Sequence, residues 1–257
     1  MTLELPLTWL VGVLLAAVRI GGWLLIAPPF SHGAIPARVR VLLSVGLAFS
    51  VAPAIPADLL AGSAAPQTMR LILTGATEFL IGSGLGLMTM IIFAALQVAG
   101  TVIDLMAGFA MSQIFDPLTG SGAAVLGRMY HMTALVLLFA TNAHLVVLGG
   151  LLRTYAEVPV GATVNLSGLA REGTDVFAGM FLAAIQIAAP ILAVLFLTDI
   201  GLGLLTRVAP ALNAFAMGFP IKILVTVVLI GLSYAGLGDL LRALTEQVLD
   251  VYGRLWP

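Results

Sequence analysis

The amino-acid sequence predicts an all-α protein of the membrane type, and three observations support this fold class. Of its 257 residues, 61% are hydrophobic and only 9% are charged, whereas soluble domains carry about 25% charged residues. The mean hydropathy is +1.14, and several charge-free stretches are long enough to cross a bilayer core of ~30 Å. No stretch shows the period-2 alternation of a membrane barrel. A water-soluble monomer could not bury this much apolar surface.

About six long apolar helices are expected along the chain. The three strongest candidates contain no charged residue, and three weaker ones are each interrupted by at least one charge. They cover, in that order, residues 79–103, 129–152 and 176–198, then 7–27, 37–57 and 213–236. Breaks rich in proline and glycine separate the candidates, so we also expect broken helices. None of the breaks is a long linker, which indicates a single domain over residues 1–257.

The C-terminal stretch is predicted to form an amphipathic helix. Apolar residues recur at helical spacing from Leu237 to Leu255, and charged residues such as Asp239, Arg242 and Glu246 occupy the other faces. Such a helix can pack on its own protein, lie at the lipid surface or dock on a partner subunit. The sequence leaves these alternatives open.

Residue patterns of enzymes are absent from the sequence, and we expect no catalytic residue, metal or cofactor. The stretch 231–235 fails the G-x-S-x-G pattern, and the stretch 82–86 lacks the last glycine of a dinucleotide-binding loop. His131 and His144 are separated by ~20 Å along a helix, too far to share a metal ion. The chain has no cysteine, and a net charge of −1 with Lys222 as the sole lysine excludes a nucleic-acid footprint.

Five ionisable residues interrupt the apolar stretches: Arg19, Glu78, Asp104, Asp199 and Lys222. Charges at membrane depth must face protein or water, because contact with lipid is costly. They could form a proton or ion pathway, they could be structurally paired, or they could lie at helix ends that are less deep in the membrane than the hydropathy suggests.

Small residues four positions apart indicate close helix packing. Gly82 and Gly86 form a G-x-x-x-G pair, and Gly12 with Ala16 is a weaker version. The spacing does not reveal whether the packing partner is internal or belongs to another subunit.

The segment 106–117 is the most unusual part of the chain. Methionines and phenylalanines follow the longest charge-free stretch and lead into Asp116 and Pro117. Pro117 disfavours helix at the preceding residue, so an apolar helix is predicted to break here at membrane depth. Irregular backbone at that depth must be buried in protein or line a cavity. Both a packed loop and a gate fit these residues.

Three sets of motifs, in order along nearly the whole chain, resemble the FliR family of flagellar biosynthesis proteins. They are R-I-G-G at 19–22 with A-P-P-F at 27–30 and I-P-A-R-V-R at 35–40, then G-F-A at 108–110 with F-D-P at 115–117, then R-V-A-P-A-L-N at 207–213 with M-G-F-P-I-K at 217–222. The resemblance implies structural roles for Arg19, Gly21, Pro28, Pro36, Arg38, Arg40, Arg207, Pro210, Asn213, Gly218, Pro220 and Lys222.

The resemblance implies a non-enzymatic structural and gating subunit of the type III secretion export gate. Members of this family assemble with FliP and FliQ subunits beside FlhB and FlhA, and form a pore for unfolded flagellar proteins in the bacterial inner membrane at the flagellar basal body. Residues 1–170 would be the FliP-like portion and residues 171–257 a FliQ-like helical hairpin. The central segment would plug the pore, through Met106, Gly108, Phe109, Met111, Ile114, Phe115, Asp116 and Pro117.

An alternative class is a secondary transporter for a small solute. In that case Glu78, Asp104 or Asp199 would be the coupling carboxylate near the bilayer midplane. Transporters often contain internal repeats, and this sequence shows no convincing one.

Overall fold

The computed structural model describes residues 7–52, 67–109, 124–162, 166–209 and 214–255. Within these ranges the chain forms eight α-helices and no strand, which confirms the all-α prediction. The helices are α1 (Leu7–Ile26), α2 (Ala37–Val51), α3 (Gln67–Ala107), α4 (Val125–Ala140), α5 (Ala143–Glu157), α6 (Leu166–Val208), α7 (Ala214–Ser233) and α8 (Leu237–Arg254). A short 3₁₀ turn, Tyr234–Gly236, joins α7 to α8.

The structure contains stretches long and apolar enough to cross a membrane. Within the described residues there are four: Trp9–Ile26, Thr68–Ala107, Ser167–Val208 and Met217–Arg254. Helices α4 and α5 pass the same test only when taken together, and they have the form of either a broken span or a re-entrant loop. With 15 residues, α2 is only about 22 Å long and too short to cross alone.

The predicted helix over 129–152 is interrupted in the structure. Helix α4 ends at Ala140, and Asn142 has a φ of +58° before α5 begins. Asparagine tolerates this left-handed conformation better than most residues. The residues at this break, 140–143, include neither glycine nor proline. The sequence analysis used these two residue types to locate breaks, so it did not predict this one.

The chain divides into two compact units, each formed by separate stretches of sequence. The first consists of Met1–Ile92, Leu138–Phe177 and Leu244–Pro257, and the second of Phe93–Leu137 and Ala178–Ala243. Helices α3, α4, α6 and α8 contribute residues to both units. The division into FliP-like and FliQ-like portions concerns sequence relationship rather than contacts, and it stays a prediction.

In the first unit, glycines bring α1 and α3 into close contact. A Cβ at Gly82 would overlap the backbone of Arg19, and one at Gly86 would lie 3.0 Å from the Trp23 carbonyl oxygen. A Cβ at Gly22 would lie 3.0 Å from the Phe79 carbonyl oxygen. The predicted role of Gly82 and Gly86 in close packing is therefore confirmed, and their partner is a helix of the same chain.

The C-terminal half of α8 packs within the first unit. Val248 and Val251 are fully buried there, and Tyr252 is almost so. Of the alternatives for the amphipathic helix, packing on its own protein is the one observed for this half.

In the second unit, α3 and α4 meet at another pair of glycines. A Cβ at Gly100 would lie 2.8 Å from the Cα of Gly127. Helices α6 and α7 leave broad apolar faces uncovered in this unit, where Leu197, Leu224 and Leu232 are 64% to 70% exposed. Such faces fit a lipid or protein environment and not water.

We predict that Gly82→Ala destabilises the protein, because the added Cβ meets backbone that cannot rotate away. Overpacking of this kind costs about 1–3 kcal/mol, and thermal unfolding of the purified protein in detergent should show a lower midpoint. Gly75→Ala on the same helix is the matched control, since its Cβ would lie at an ordinary 3.8 Å from Leu15 Cδ2. A Gly82→Ala variant as stable as Gly75→Ala would contradict the close-contact interpretation.

Candidate functional site

The first unit contains a fully buried ion pair between α1 and α3. Arg19 Nε donates to Glu78 Oε2 at 2.6 Å, and both side chains have no exposed surface. Arg19 Nη1 donates to the Val158 carbonyl oxygen at 2.9 Å, and the Gly161 amide donates to Glu78 Oε1 at 2.9 Å. The turn that follows α5 therefore supplies a hydrogen-bond partner to each member of the pair.

Tyr155 on α5 adds two further contacts to this cluster. The guanidinium carbon of Arg19 lies 4.2 Å from the centre of the Tyr155 ring, in cation–π geometry. The Tyr155 hydroxyl donates to the Ala16 carbonyl oxygen at 2.8 Å. Since an isolated buried charge is very costly, these contacts explain how Arg19 and Glu78 are accommodated. Structural pairing is thus confirmed for these two residues.

A second buried network was missed by the sequence analysis. Trp23 Nε1 donates to the Tyr252 hydroxyl at 2.6 Å, and that hydroxyl lies 2.6 Å from Thr89 Oγ1. Both hydroxyls also lie within hydrogen-bond distance of the Leu85 carbonyl oxygen, Thr89 Oγ1 at 2.9 Å and Tyr252 at 3.4 Å, so either one can be the donor in the bond between them. These hydrogen bonds link α1, α3 and α8. The available signal was a tyrosine on the apolar face of α8, since a buried tyrosine hydroxyl needs a partner.

In the second unit, Lys222 and Asp199 pair α7 with α6. Lys222 Nζ lies 3.0 Å from Asp199 Oδ2, and the two side chains are 15% and 44% exposed. Structural pairing is confirmed here as well, although this pair is far less enclosed than the pair in the first unit.

Asp104 holds the two helix ends that border the central segment. Its Oδ2 accepts hydrogen bonds from the amides of Leu126 and Gly127, at 2.9 and 3.3 Å, in the first turn of α4. Its backbone carbonyl accepts the Phe109 amide at 3.2 Å, where α3 ends and Gly108 has a φ of +88°. A carboxylate at a helix N-terminus supplies orphan amides with an acceptor and complements the helix dipole. The helix thus ends at Ala107, within the segment 106–117, whereas the break predicted before Pro117 lies outside the described residues.

The structure places three of the predicted plug residues. Met106 lies on the last turn of α3 and is 40% exposed, and Gly108 and Phe109 follow the helix end. A Cβ at Gly108 would lie 2.7 Å from the Phe219 ring. The remaining ones lie outside the described residues: Met111, Ile114, Phe115, Asp116 and Pro117.

The N-terminal motif residues cluster around α1 and α2. Pro28 is buried, and Pro36 precedes the first turn of α2. Arg40 Nη2 donates to the carbonyl oxygens of Ser31 and His32, at 3.4 and 3.0 Å, which ties α2 to the preceding turn. Gly21 faces Ser44 of α2. Arg38 is exposed.

The C-terminal motif residues lie on α6 and α7. Arg207 is exposed in the last turn of α6, and Gly218 is buried on α7, where its Cβ would lie 3.4 Å from Leu202 Cδ1. Pro220 lies inside α7. Pro210 and Asn213 lie outside the described residues. The structure does not bring the N-terminal and C-terminal motifs into one unit.

Within the described residues, no group of three or more histidine, cysteine, aspartate or glutamate side chains is placed to hold a metal ion. The geometry defines a membrane-embedded helical protein in which buried charges join helices. The chain belongs to the family described as bacterial export proteins, family 1, whose model matches residues 10–248.

Relatives with established names agree with this family. The chain is 31% identical over 220 residues to the flagellar biosynthetic protein FliR of Bacillus subtilis, covering 84% of this chain and 83% of that protein. It is 30% identical over 224 residues to FliR of Escherichia coli, covering 87% and 84%. It is also 31% identical over 160 residues to the Yop proteins translocation protein T of Yersinia pestis, covering 61% and 60%. The chain is a component of a type III secretion export apparatus.

We predict that Arg19→Met or Glu78→Gln alone destabilises the protein strongly, since each leaves the other group buried without its partner. The expected loss is about 3–5 kcal/mol for each single change, and less than the sum for the double variant, as measured by thermal unfolding in detergent. The corresponding variants of Lys222 and Asp199 are the control, and their coupling should be smaller because that pair is partly exposed. Additive losses at Arg19 and Glu78 would disprove the coupling.

Proposed function

We propose that this chain is a structural and gating subunit of the flagellar export gate, without enzymatic activity, and that it forms part of the pore for unfolded flagellar proteins. The observation that carries the proposal is the set of hydrogen bonds made by Asp104. Its backbone carbonyl oxygen accepts the Phe109 amide where α3 ends, and its carboxylate accepts two amides in the first turn of α4. The same aspartate therefore binds the chain before and after the central segment. A closing segment needs such a fixed base if it is to move without disturbing the helices around it.

The chemistry of the segment supports a seal. An export gate passes many different unfolded sequences, so its constriction cannot rely on recognition of charge or metal. It must also stop ions when empty, which favours an apolar constriction. Met106, Phe109, Met111, Ile114 and Phe115 are apolar, and methionine adapts its shape to different neighbours. Gly108, Pro117 and Gly120 would allow the backbone to turn.

The proposed partners are FliP-like and FliQ-like subunits of a hetero-oligomeric gate, beside FlhB-like and FlhA-like components, in the bacterial inner membrane at the flagellar basal body. The uncovered apolar faces of α6 and α7 support contact with further membrane subunits. We also propose the sequence division at about residue 170 into a FliP-like portion and a FliQ-like hairpin. Arg207 and Lys222 of the motifs lie on α6 and α7, within that second portion.

The transporter alternative receives no support from the three carboxylates. Glu78 is bound by Arg19, Asp199 by Lys222, and Asp104 by two backbone amides. A coupling carboxylate has to exchange protons during transport, and each of these groups instead holds a neighbouring element in place.

We predict that replacing Phe109, Met111 and Phe115 together with alanine leaves the gate assembled but permeable to small ions, because the apolar constriction is widened. Ion conductance across membranes that carry the assembled gate measures the effect. The control replaces Phe49, Phe139 and Met132 with alanine, since these exposed residues have the same composition but lie on α2 and α4, away from the faces of α6 and α7 that are proposed to contact partner subunits. An intact seal in the first variant would refute the plug assignment.

We predict that Glu78→Gln, Asp104→Asn and Asp199→Asn each reduce assembly more than they change the pH dependence of export. The reason is that all three carboxylates hold helices rather than shuttle protons. Assembly is measured by co-purification of the partner subunits, and export by secreted flagellar protein at several external pH values. The transporter reading would gain support from a variant that assembles normally but no longer depends on the proton gradient.

A further inference from the structure

The backbone at the C-terminal end of α3 is restricted in two ways within the second unit. Gly108 has a φ of +88°, a left-handed conformation that glycine adopts without strain. The ring of Phe219 on α7 also occupies the space that a side chain would take there, since a Cβ at Gly108 would lie 2.7 Å from Phe219 Cδ1 and 3.0 Å from Cε1. Glycine alone meets both requirements, because any other residue would be strained and would displace the ring.

Helix α7 carries Phe219 on a turn that is bound to α6. Gly218 is buried, and a Cβ there would lie 3.4 Å from Leu202 Cδ1 of α6. One helical turn further on, Lys222 Nζ lies 3.0 Å from Asp199 Oδ2 of α6. Positions 218 and 222 share one face of a helix, whereas position 219 is rotated from 218 by about 100°. The same turn of α7 therefore contacts α6 with one face and the end of α3 with another.

We propose that Phe219 is a positioning residue of the gate. Its ring holds the end of α3 in place, so that α6 and α7 determine the direction in which the chain leaves α3 after Gly108. The inference rests on the proposed function, because the chain that leaves α3 there is the segment to which we assign the seal. It also gives a physical reason for the motif M-G-F-P-I-K at 217–222, which the fold alone leaves without a role.

Two independent contacts hold this end of α3, and they involve different helices. Asp104 accepts the Phe109 amide through its backbone carbonyl oxygen and binds the first turn of α4 through its carboxylate. Phe219 adds α7 at Gly108, which lies between these two residues in the sequence. Close-packed contacts transmit displacements, so a shift of α7 against α3 would act on the backbone at Gly108.

The test measures hydrogen exchange at the Phe109 amide in the assembled export complex in lipid nanodiscs. This amide donates to the Asp104 carbonyl oxygen at 3.2 Å and reports directly on the end of α3. Phe219→Ala should raise its exchange rate about tenfold, because the ring no longer limits local opening. Phe219→Tyr retains the ring atoms that face Gly108 and should exchange as the wild type does. Phe49→Ala, which removes a phenylalanine from α2 in the first unit, is the control and should leave the rate unchanged.

The support from α6 is tested with Lys222→Met, which breaks the pair with Asp199 but leaves Phe219 in place. The exchange rate at Phe109 should rise about threefold, less than in Phe219→Ala, because the pair is partly exposed. Arg242→Met breaks an exposed ion pair on α8 in the same unit and is the matched control, with no change expected. Should Phe219→Ala not assemble, an unchanged rate in Lys222→Met would still overturn the proposal.

The contact itself is tested with a double variant. Gly108→Ala places a Cβ against the ring and should lower the midpoint of thermal unfolding of the complex in detergent. Adding Phe219→Ala to this variant should cost less than it does in the wild-type background, because the overlap is then relieved. Additive losses would overturn the contact.

Ion conductance of the same complexes separates this inference from the proposed function. Faster exchange at Phe109 together with an ion leak in Phe219→Ala would support both. Faster exchange without a leak would uphold the positioning role and refute the seal. Unchanged exchange in Phe219→Ala, or equally fast exchange in Phe219→Tyr, would overturn the positioning role whatever the conductance.

Discussion

The buried ion pair between Arg19 and Glu78 is the interaction on which the first unit depends. Glycines at 22, 82 and 86 allow α1 and α3 to approach closely, but smooth glycine surfaces would permit several registers. The ion pair selects one of them, because sliding α1 along α3 would separate two charges that have no access to water. In this register Tyr155 contacts Arg19, and the turn after α5 donates a hydrogen bond to Glu78.

The same use of charge recurs in the second unit with a different degree of enclosure. Asp199 and Lys222 join α6 to α7 at a partly exposed position, and Asp104 joins the end of α3 to the start of α4. In each case one acidic side chain specifies where two apolar helices meet, which apolar packing alone does poorly in a lipid environment. Few charges are needed for this purpose, and the chain has few.

The sequence predicted what depends on local composition. Long apolar stretches identified the helices, and Gly82 and Gly86 identified a close helix contact, because both signals lie within one segment. The partner of Arg19 could not be chosen from the sequence, since Glu78, Asp104 and Asp199 were equally available acids. The break at Asn142 depends on one residue in a left-handed conformation, and the bond from Trp23 to Tyr252 joins residues 229 positions apart. The central segment was identified by its unusual composition, and its base at Asp104 emerged only from the contacts.

The length of α3 has a consequence for how the protein meets the bilayer. With 41 residues, its axis is about 60 Å long, and its most apolar stretch of 18 residues has a mean hydropathy of 2.2. Membrane helices tilt by at most about 40°, so a bilayer core of ~30 Å can cover only about 26 of these residues. About fifteen residues therefore extend past the hydrocarbon on one or both sides. This helix accordingly reaches from the membrane core into the surroundings of the bilayer, where its ends meet water, headgroups or other polypeptides.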